Sequence, residues 1–320
     1  MTWLLDRLFA LGDQPAPRFA FQGTVNWSRA LAIAVGTGAF DDASLRQFYA
    51  AVQRRQTNEV ADTLAFETLF MSLSQVAATR SLANAQGNIY DACRPAIVSW
   101  YYSVYYAIKA MLAATSGADP QTHAATARQF QVEVVNNGAV PFPFDLYIQG
   151  LVPSAVPGRI AALRRGANAD LNATPVTIQE ARGALCSYLS GTCEYRQWEL
   201  EDRVRSSSEF RKLGVANFRT KAARDLRDAA LQSEGVNFLW QAFRYRGKAN
   251  YRDAIYLSYG ADNSGAIRTL IRDLAEVSTA FCRMSSHYVS RRVELVSWQA
   301  FATDLSVSAR IQLPFNIQAI

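Results

Sequence analysis

The 320-residue chain is poor in histidine and cysteine, with two of the first and four of the second. It also has no long uninterrupted apolar run. Each shortage excludes something. Cys93, Cys186, Cys193 and Cys282 are scattered without a CxxC pair, which removes the zinc-ribbon spacings and points to free thiols in a reducing, cytoplasmic setting. Cys282 and His287 are two metal ligands without further partners, so neither a metal nor a cofactor is expected. The stretch MTWLLDRLFALG is broken by Asp6 and Arg7 and is too short and too charged for a signal segment or a membrane span. No other segment approaches the ~18 apolar residues a span requires, so no membrane contact is expected. GxSxG, HExxH and kinase signatures are missing, and GTG (36–38) lacks the remaining spacing of a phosphate loop.

What is present is helical. Half of the residues are hydrophobic and 19% are charged, an ordinary globular balance, and a net charge of +6 permits an acidic partner without demanding one. Leu45, Phe48 and Val52, then Val60, Leu64, Leu69, Leu73 and Val76, recur mostly at three- and four-residue steps. DDAS (41–44) and TNEVAD (57–62) supply caps for these helices. SWYYSVYYAIKAMLAATSG (99–117) has five Tyr or Trp rings in seven residues and Lys109 as its one charge. Ile97, Tyr101, Val104, Ile108 and Met111 define one face of it and Val98, Tyr102, Tyr105 and Leu112 a neighbouring one, which predicts a helix buried on most sides. Pro95 is placed near its start and Gly117 near its end.

Five of the ten prolines fall within 136–176, so this stretch reads as an irregular connection. Helices resume at TIQEARGALCSYL, which opens with capping-box spacing. The segment 199–228 is polar and mostly basic. Arg219, Lys221 and Arg224 there can follow a phosphate backbone, with Phe210, Phe218 and Trp240 stacking bases. Interleaved acids, as in Arg224/Asp228, favour solvated helices with surface ion pairs. A last helix is predicted over 264–298, followed by a short strand or extended arm. The fold class is all-α.

Two motifs carry a resemblance. SWYYSVYYAIKAML, the turn SGADP, then QTH and a helix containing Phe130 resemble the HEPN family of helical-bundle proteins of bacterial toxin–antitoxin and anti-phage systems. Tyr105, Tyr106, Ala107, Ala110, Leu112, Thr122 and His123 fit its tyrosine pair, aromatic helix and Thr-His opening. FRYRGKANYRDAIYL (243–257) resembles the Arg-x-x-Ala-Asp-Tyr segment before the last long helix in one branch, with Arg246, Ala249, Asn250 and Tyr251 in those places. A looser similarity is to YaaC-like bacterial proteins. The resemblance implies a HEPN-like bundle from 90–135 plus 236–300, an N-terminal helical region (1–89), an insertion (136–235) and a C-terminal tail (301–320).

It also implies chemistry. Active HEPN members are metal-independent ribonucleases with Arg-x(4–6)-His, the arginine holding the scissile phosphate and the histidine transferring protons. Here Arg246 is followed after four residues by Tyr251, and tyrosine, with a pKa near ~10, is a poor base at neutral pH. His123 and His287 are the available substitutes. His123 alternatively serves as a helix-opening hydrogen bond, and His287, in RMSSH, shares a face with Arg283. The first expectation is a defence or toxin–antitoxin protein that binds RNA, a nucleotide or a protein partner around Arg246, with Lys248, Asn250 and Arg252 contributing. The second is an endoribonuclease using Arg246 with His123 or His287, and the third is a purely structural assembly subunit. The family resemblance implies a homodimer.

Overall fold

The computed structural model describes residues 3–10, 17–250 and 252–320, with the backbone alone at 8–10, 17–20 and 252–253. Among the described residues it contains thirteen α-helices and one antiparallel pair of two-residue strands, an all-α bundle. None of these helices is long and apolar enough to cross a membrane.

Short α1 (Trp3–Ala10) precedes α2 (Pro17–Val35), and Asp41 caps α3 (Asp42–Phe48) by accepting from the Ser44 amide at 2.7 Å. Asn58 caps α4 (Glu59–Ala83) in the same way, accepting from the Ala61 amide. The periodic pattern is sound at Leu45, Leu69, Leu73 and Val76, which are fully buried, but Phe48 and Val60 face solvent, Val60 being 82% exposed. A short link leads to α5 (Ile89–Ser116), the central helix, which packs on α4 and returns past it. Ile97, Tyr101, Val104, Ile108 and Met111 are all fully buried in it. Its cap is Asn88, so Pro95 lies inside the helix instead of at its start. Proline removes one amide donor there, and Asp91, whose carbonyl that amide would have met, is an exposed residue. Gly117 ends the helix in the left-handed region, φ 77°, which favours glycine.

After α6 (His123–Phe130) and a π turn at Gln131–Val135, the proline-rich stretch is not wholly irregular. It carries β1 (Ile148–Gln149) and α7 (Val156–Arg164) before the capping box of Thr177 and Glu180 opens α8 (Ile178–Arg205). The short α9 (Ser208–Lys212) and α10 (Lys221–Gln232) follow. Next, β2 (Gly235–Val236) pairs with β1 and leads into α11 (Phe238–Asn250). Arg224 and Asp228 do not pair: Arg224 donates to the Arg219 carbonyl, and Asp228 is taken by Arg227 at 2.8 Å. A 3-10 turn at Arg252–Leu257 precedes α12 (Ser264–Arg292).

The expected last helix is two, α12 and α13 (Leu295–Ser308). Residues 52–57 supply the break. Arg54 donates to the carbonyls of Ser290 and Val293, and the Arg55 amide donates to Arg292 O at 2.9 Å. These donors satisfy carbonyls that a helix end leaves orphaned. The tail beyond α13 has no strand; Ile317 is buried, and Phe315 lies under the Arg283 guanidinium at 5.2 Å.

The core is aromatic where α2, α5, α8 and α11 meet. Trp27 of α2 is fully buried, stacks on Tyr188 at 4.3 Å and meets Tyr245 at 4.6 Å and the edge of Trp100 at 5.7 Å. Buried Ser72 of α4 donates to the Ser103 carbonyl at 2.8 Å and lies 3.3 Å from Cys282 Sγ, so one hydroxyl joins α4, α5 and α12. Residues from 136–200 enter the same cluster through Phe144, Ile148, Leu151, Ile160 and Leu185.

Candidate functional site around Arg246

The face of α5 that is not fully covered carries Val98, Tyr102, Tyr106 and Lys109, at helical spacing. α11 and the start of α6 lie against it. Phe243 and Arg246, three apart on α11, therefore project toward the tyrosines, and Thr122 caps α6 through the Ala125 amide so that His123 begins the helix beside them. Thr122 does the capping, and His123 makes the inter-helix bond: its Nδ1 shares a hydrogen bond with the Tyr101 hydroxyl at 2.7 Å.

Arg246 and His123 share their walls. The guanidinium lies 4.9 Å from the ring centres of both Tyr101 and Phe243 and 5.9 Å from that of Tyr102. The imidazole lies 5.6 Å from Tyr101, 4.8 Å from Tyr105 and 5.1 Å from Phe243. Arg246 Nη1 donates to the Tyr102 hydroxyl at 3.2 Å, while its buried Nε has no hydrogen-bond partner among the described residues. Among the described residues no carboxylate forms an ion pair with Arg246. Cation–π contact gives it partial compensation.

These surroundings set the protonation states. Burial, assisted by the Arg246 charge, holds the His123 pKa below its usual 6.5, so the ring is neutral at pH 7 and one nitrogen is a proton acceptor. Burial keeps the Tyr101 hydroxyl protonated well beyond the ordinary tyrosine range, although Arg246 opposes the shift. A neutral imidazole oriented by a phenol, next to an arginine with no carboxylate partner among the described residues, can hold an anion and move a proton.

His287 belongs elsewhere. It is almost fully buried on α12, with Nε2 2.9 Å from Asp42 Oδ1 of α3, and Arg283 Nε is 3.8 Å from the same oxygen. The shared face of Arg283 and His287 thus converges on a carboxylate rather than on an open anion site. Burial lowers the His287 pKa and Asp42 opposes it. Tyr251 lies outside the described residues, as does the side chain of Arg252. Lys248 is half-buried on the last turns of α11, and exposed Asn250 lines an open groove beyond Arg246.

The basic run forms a separate surface. Arg219, Lys221 and Arg224 are exposed around the start of α10, where Lys221 pairs with Asp225 at 2.7 Å. The rings meant for base stacking already have cations or rings against them. Phe218 lies between Arg205 at 5.0 Å and Arg227 at 5.5 Å and against Phe210, and Arg196 covers Trp240 at 4.3 Å. Sequence reasoning treated Tyr101, Tyr102 and Phe243 as packing or passed over them. Their signal was the aromatic repeat of α5 set against an arginine one turn beyond Phe243.

Fold and site together define an all-α helical bundle with a tyrosine-walled arginine–histidine cluster. Compared with protein-family models, curated proteins and solved structures, the chain matches none.

Proposed function

We propose that the chain is a HEPN-like RNA-binding protein of a bacterial defence or toxin–antitoxin system that holds an RNA phosphate on Arg246. The observation that carries this reading is the half-buried Arg246 guanidinium, stacked on Tyr101 and Phe243 with no carboxylate partner among the described residues. A cation taken partly out of water without a counter-charge is costly, and an incoming phosphate supplies that charge in bidentate form. The test is fluorescence anisotropy with a labelled single-stranded RNA at 50 and 200 mM salt, wild type beside Arg246→Ala. Binding that weakens with salt and drops at least tenfold in the variant supports the reading, whereas equal binding by a folded variant removes it.

A second reading, metal-independent RNA cleavage, is favoured by the 2.7 Å bond between Tyr101 and His123. In it the ribose 2′-oxygen bonds to phosphorus as the bond to the 5′-oxygen breaks. Neutral His123 takes the 2′ proton, Arg246 stabilises the charge on phosphate, and solvent protonates the departing oxygen. Cleavage in EDTA by the wild type, abolished by His123→Ala and retained by His287→Gln, is the expected pattern. The family resemblance supports a homodimer with paired clefts, which sedimentation of the wild type tests. A nucleotide or a protein as the ligand would appear as RNA-independent binding that Arg246→Ala still weakens.

A further inference from the structure

We propose that the groove between the first half of α5 and the last turn of α11 is a second phosphate subsite, with Arg94 as its cation. The cleft then takes a single-stranded nucleic-acid segment crossing both subsites and not a lone nucleotide. The inference rests on Arg246 being a phosphate site.

α5 and α11 pass each other in opposite directions: Tyr102 meets Arg246, and Arg94 Nε donates to the Ala249 carbonyl at 2.8 Å. Helical side chains lean toward their own N-terminus. On antiparallel neighbours the two arginines therefore diverge along the seam, Arg246 toward Tyr101 and Tyr102 and Arg94 toward the start of α5. The eight-residue step from Arg94 to Tyr102 corresponds to about 12 Å of helix. One phosphate, with hydrogen bonds of about 2.9 Å, does not reach across that distance; successive phosphates of a strand do.

The ground between them is open. A groove of about 640 Å³ is lined by Arg94, Val98 and Ser99 from α5 and by Ala249 and Asn250 from α11. Ser99 is one turn from Tyr102 and Asn250 one turn from Arg246, so the groove adjoins the arginine–histidine cluster on both helices. Arg94 is exposed, and the Ala249 carbonyl fixes its Nε at the groove wall. Among the described residues nothing bonds its two terminal nitrogens, and Asp91, one turn earlier on the same wall, forms no ion pair with it. Tyr90 is a fixed end wall, its hydroxyl donating to Asp262 at 2.8 Å. Cation, serine hydroxyl and amide around an apolar strip suit a phosphate with its attached sugar and base.

The experiment uses the full chain, a fluorescein-labelled decauridylate, and uridine 5′-monophosphate as competitor. Arg94→Gln is expected to weaken the decamer about tenfold and to reduce the slope of log affinity against log salt by about 0.7, with the monophosphate's competition unchanged within twofold. Asn250→Asp, an exposed change that puts a carboxylate in the groove, is expected to act in the same direction and guards against a folding effect of the Arg94 variant. The proposal is overturned if both variants, folded by circular dichroism, bind the decamer as the wild type does while Arg246→Ala loses it; the Arg246 site then stands alone. It is also overturned if Arg94→Gln weakens the monophosphate equally, which marks Arg94 as a support of the first site. A wild type that binds no decamer removes the Arg246 reading and the subsite together.

Discussion

His123 and Asp273 respond to pH in opposite senses, because burial acts on groups of opposite charge. His123 titrates below 6.5 in the folded chain, so between the two values the unfolded chain binds the extra proton. Its contribution is complete above pH 6.5 and is lost as pH falls toward the folded value, and His287 behaves likewise. In the cleavage reading this places the acid limb of the rate profile below pH 6.5, measurable with one RNA across pH 5 to 8. Asp273 is buried on α12 with Arg29 at 3.0 Å, its other oxygen has no partner among the described residues, and burial raises its pKa from 3.8 to about 6. Here the folded chain binds the extra proton, so stability falls as pH rises from about 4 to about 6, by up to about 3 kcal/mol at 1.36 kcal/mol per unit. Urea unfolding at pH 4, 5, 6 and 7 should show the wild type losing ground to Asp273→Asn over that range; a constant gap would refute the assignment. None of this was legible in the sequence, where Asp273 is one acid in a long amphipathic helix and its burial depends on α2 folding across it.

At the scale of elements, α8 shows why a local rule needs its surroundings. Gly183 is a helical glycine, and replacing such a residue with alanine usually stabilises by roughly 0.5–1 kcal/mol. In this chain a Cβ at Gly183 would stand 2.4 Å from the Ala169 carbonyl oxygen, so the loop before α8 must move. Gly183→Ala is therefore expected to destabilise by about 1–3 kcal/mol, read as a lowered Tm, with Gly191→Ala as a comparison whose nearest contact, Arg244 Nη1 at 3.5 Å, is ordinary. The caps of α3, α4 and α8 were legible because a cap is a contact within four residues. The end of α12 was not, since Arg54 and Arg55 reach it from another part of the chain. Pro95 misled for a related reason: the true start of α5 is set by Asn88, and that displacement hid Arg94 as a helical residue on the groove wall.

For the whole molecule, the decisive feature is that α2 fills the centre of the aromatic core. Trp27 touches Trp100, Tyr188 and Tyr245, so Trp27→Ala should cost about 3–5 kcal/mol in urea unfolding. A chain lacking residues 1–35 should bind a hydrophobic dye and lose its sharp transition; a truncated chain that unfolds cooperatively would show that the rest holds a core without α2. Sequence alone determined the helical class, the buried faces of α5 and α12 and most caps, because these depend on spacing within a few turns. It also offered Arg246 as the cation of a site and left His123 and His287 as alternative partners for it. Only the tertiary structure separated them, by setting His123 against Arg246 across Tyr101 and Phe243 and His287 against Asp42. Such neighbours are chosen by which helices pack together, and packing joins residues whose distance along the chain carries no periodic signal.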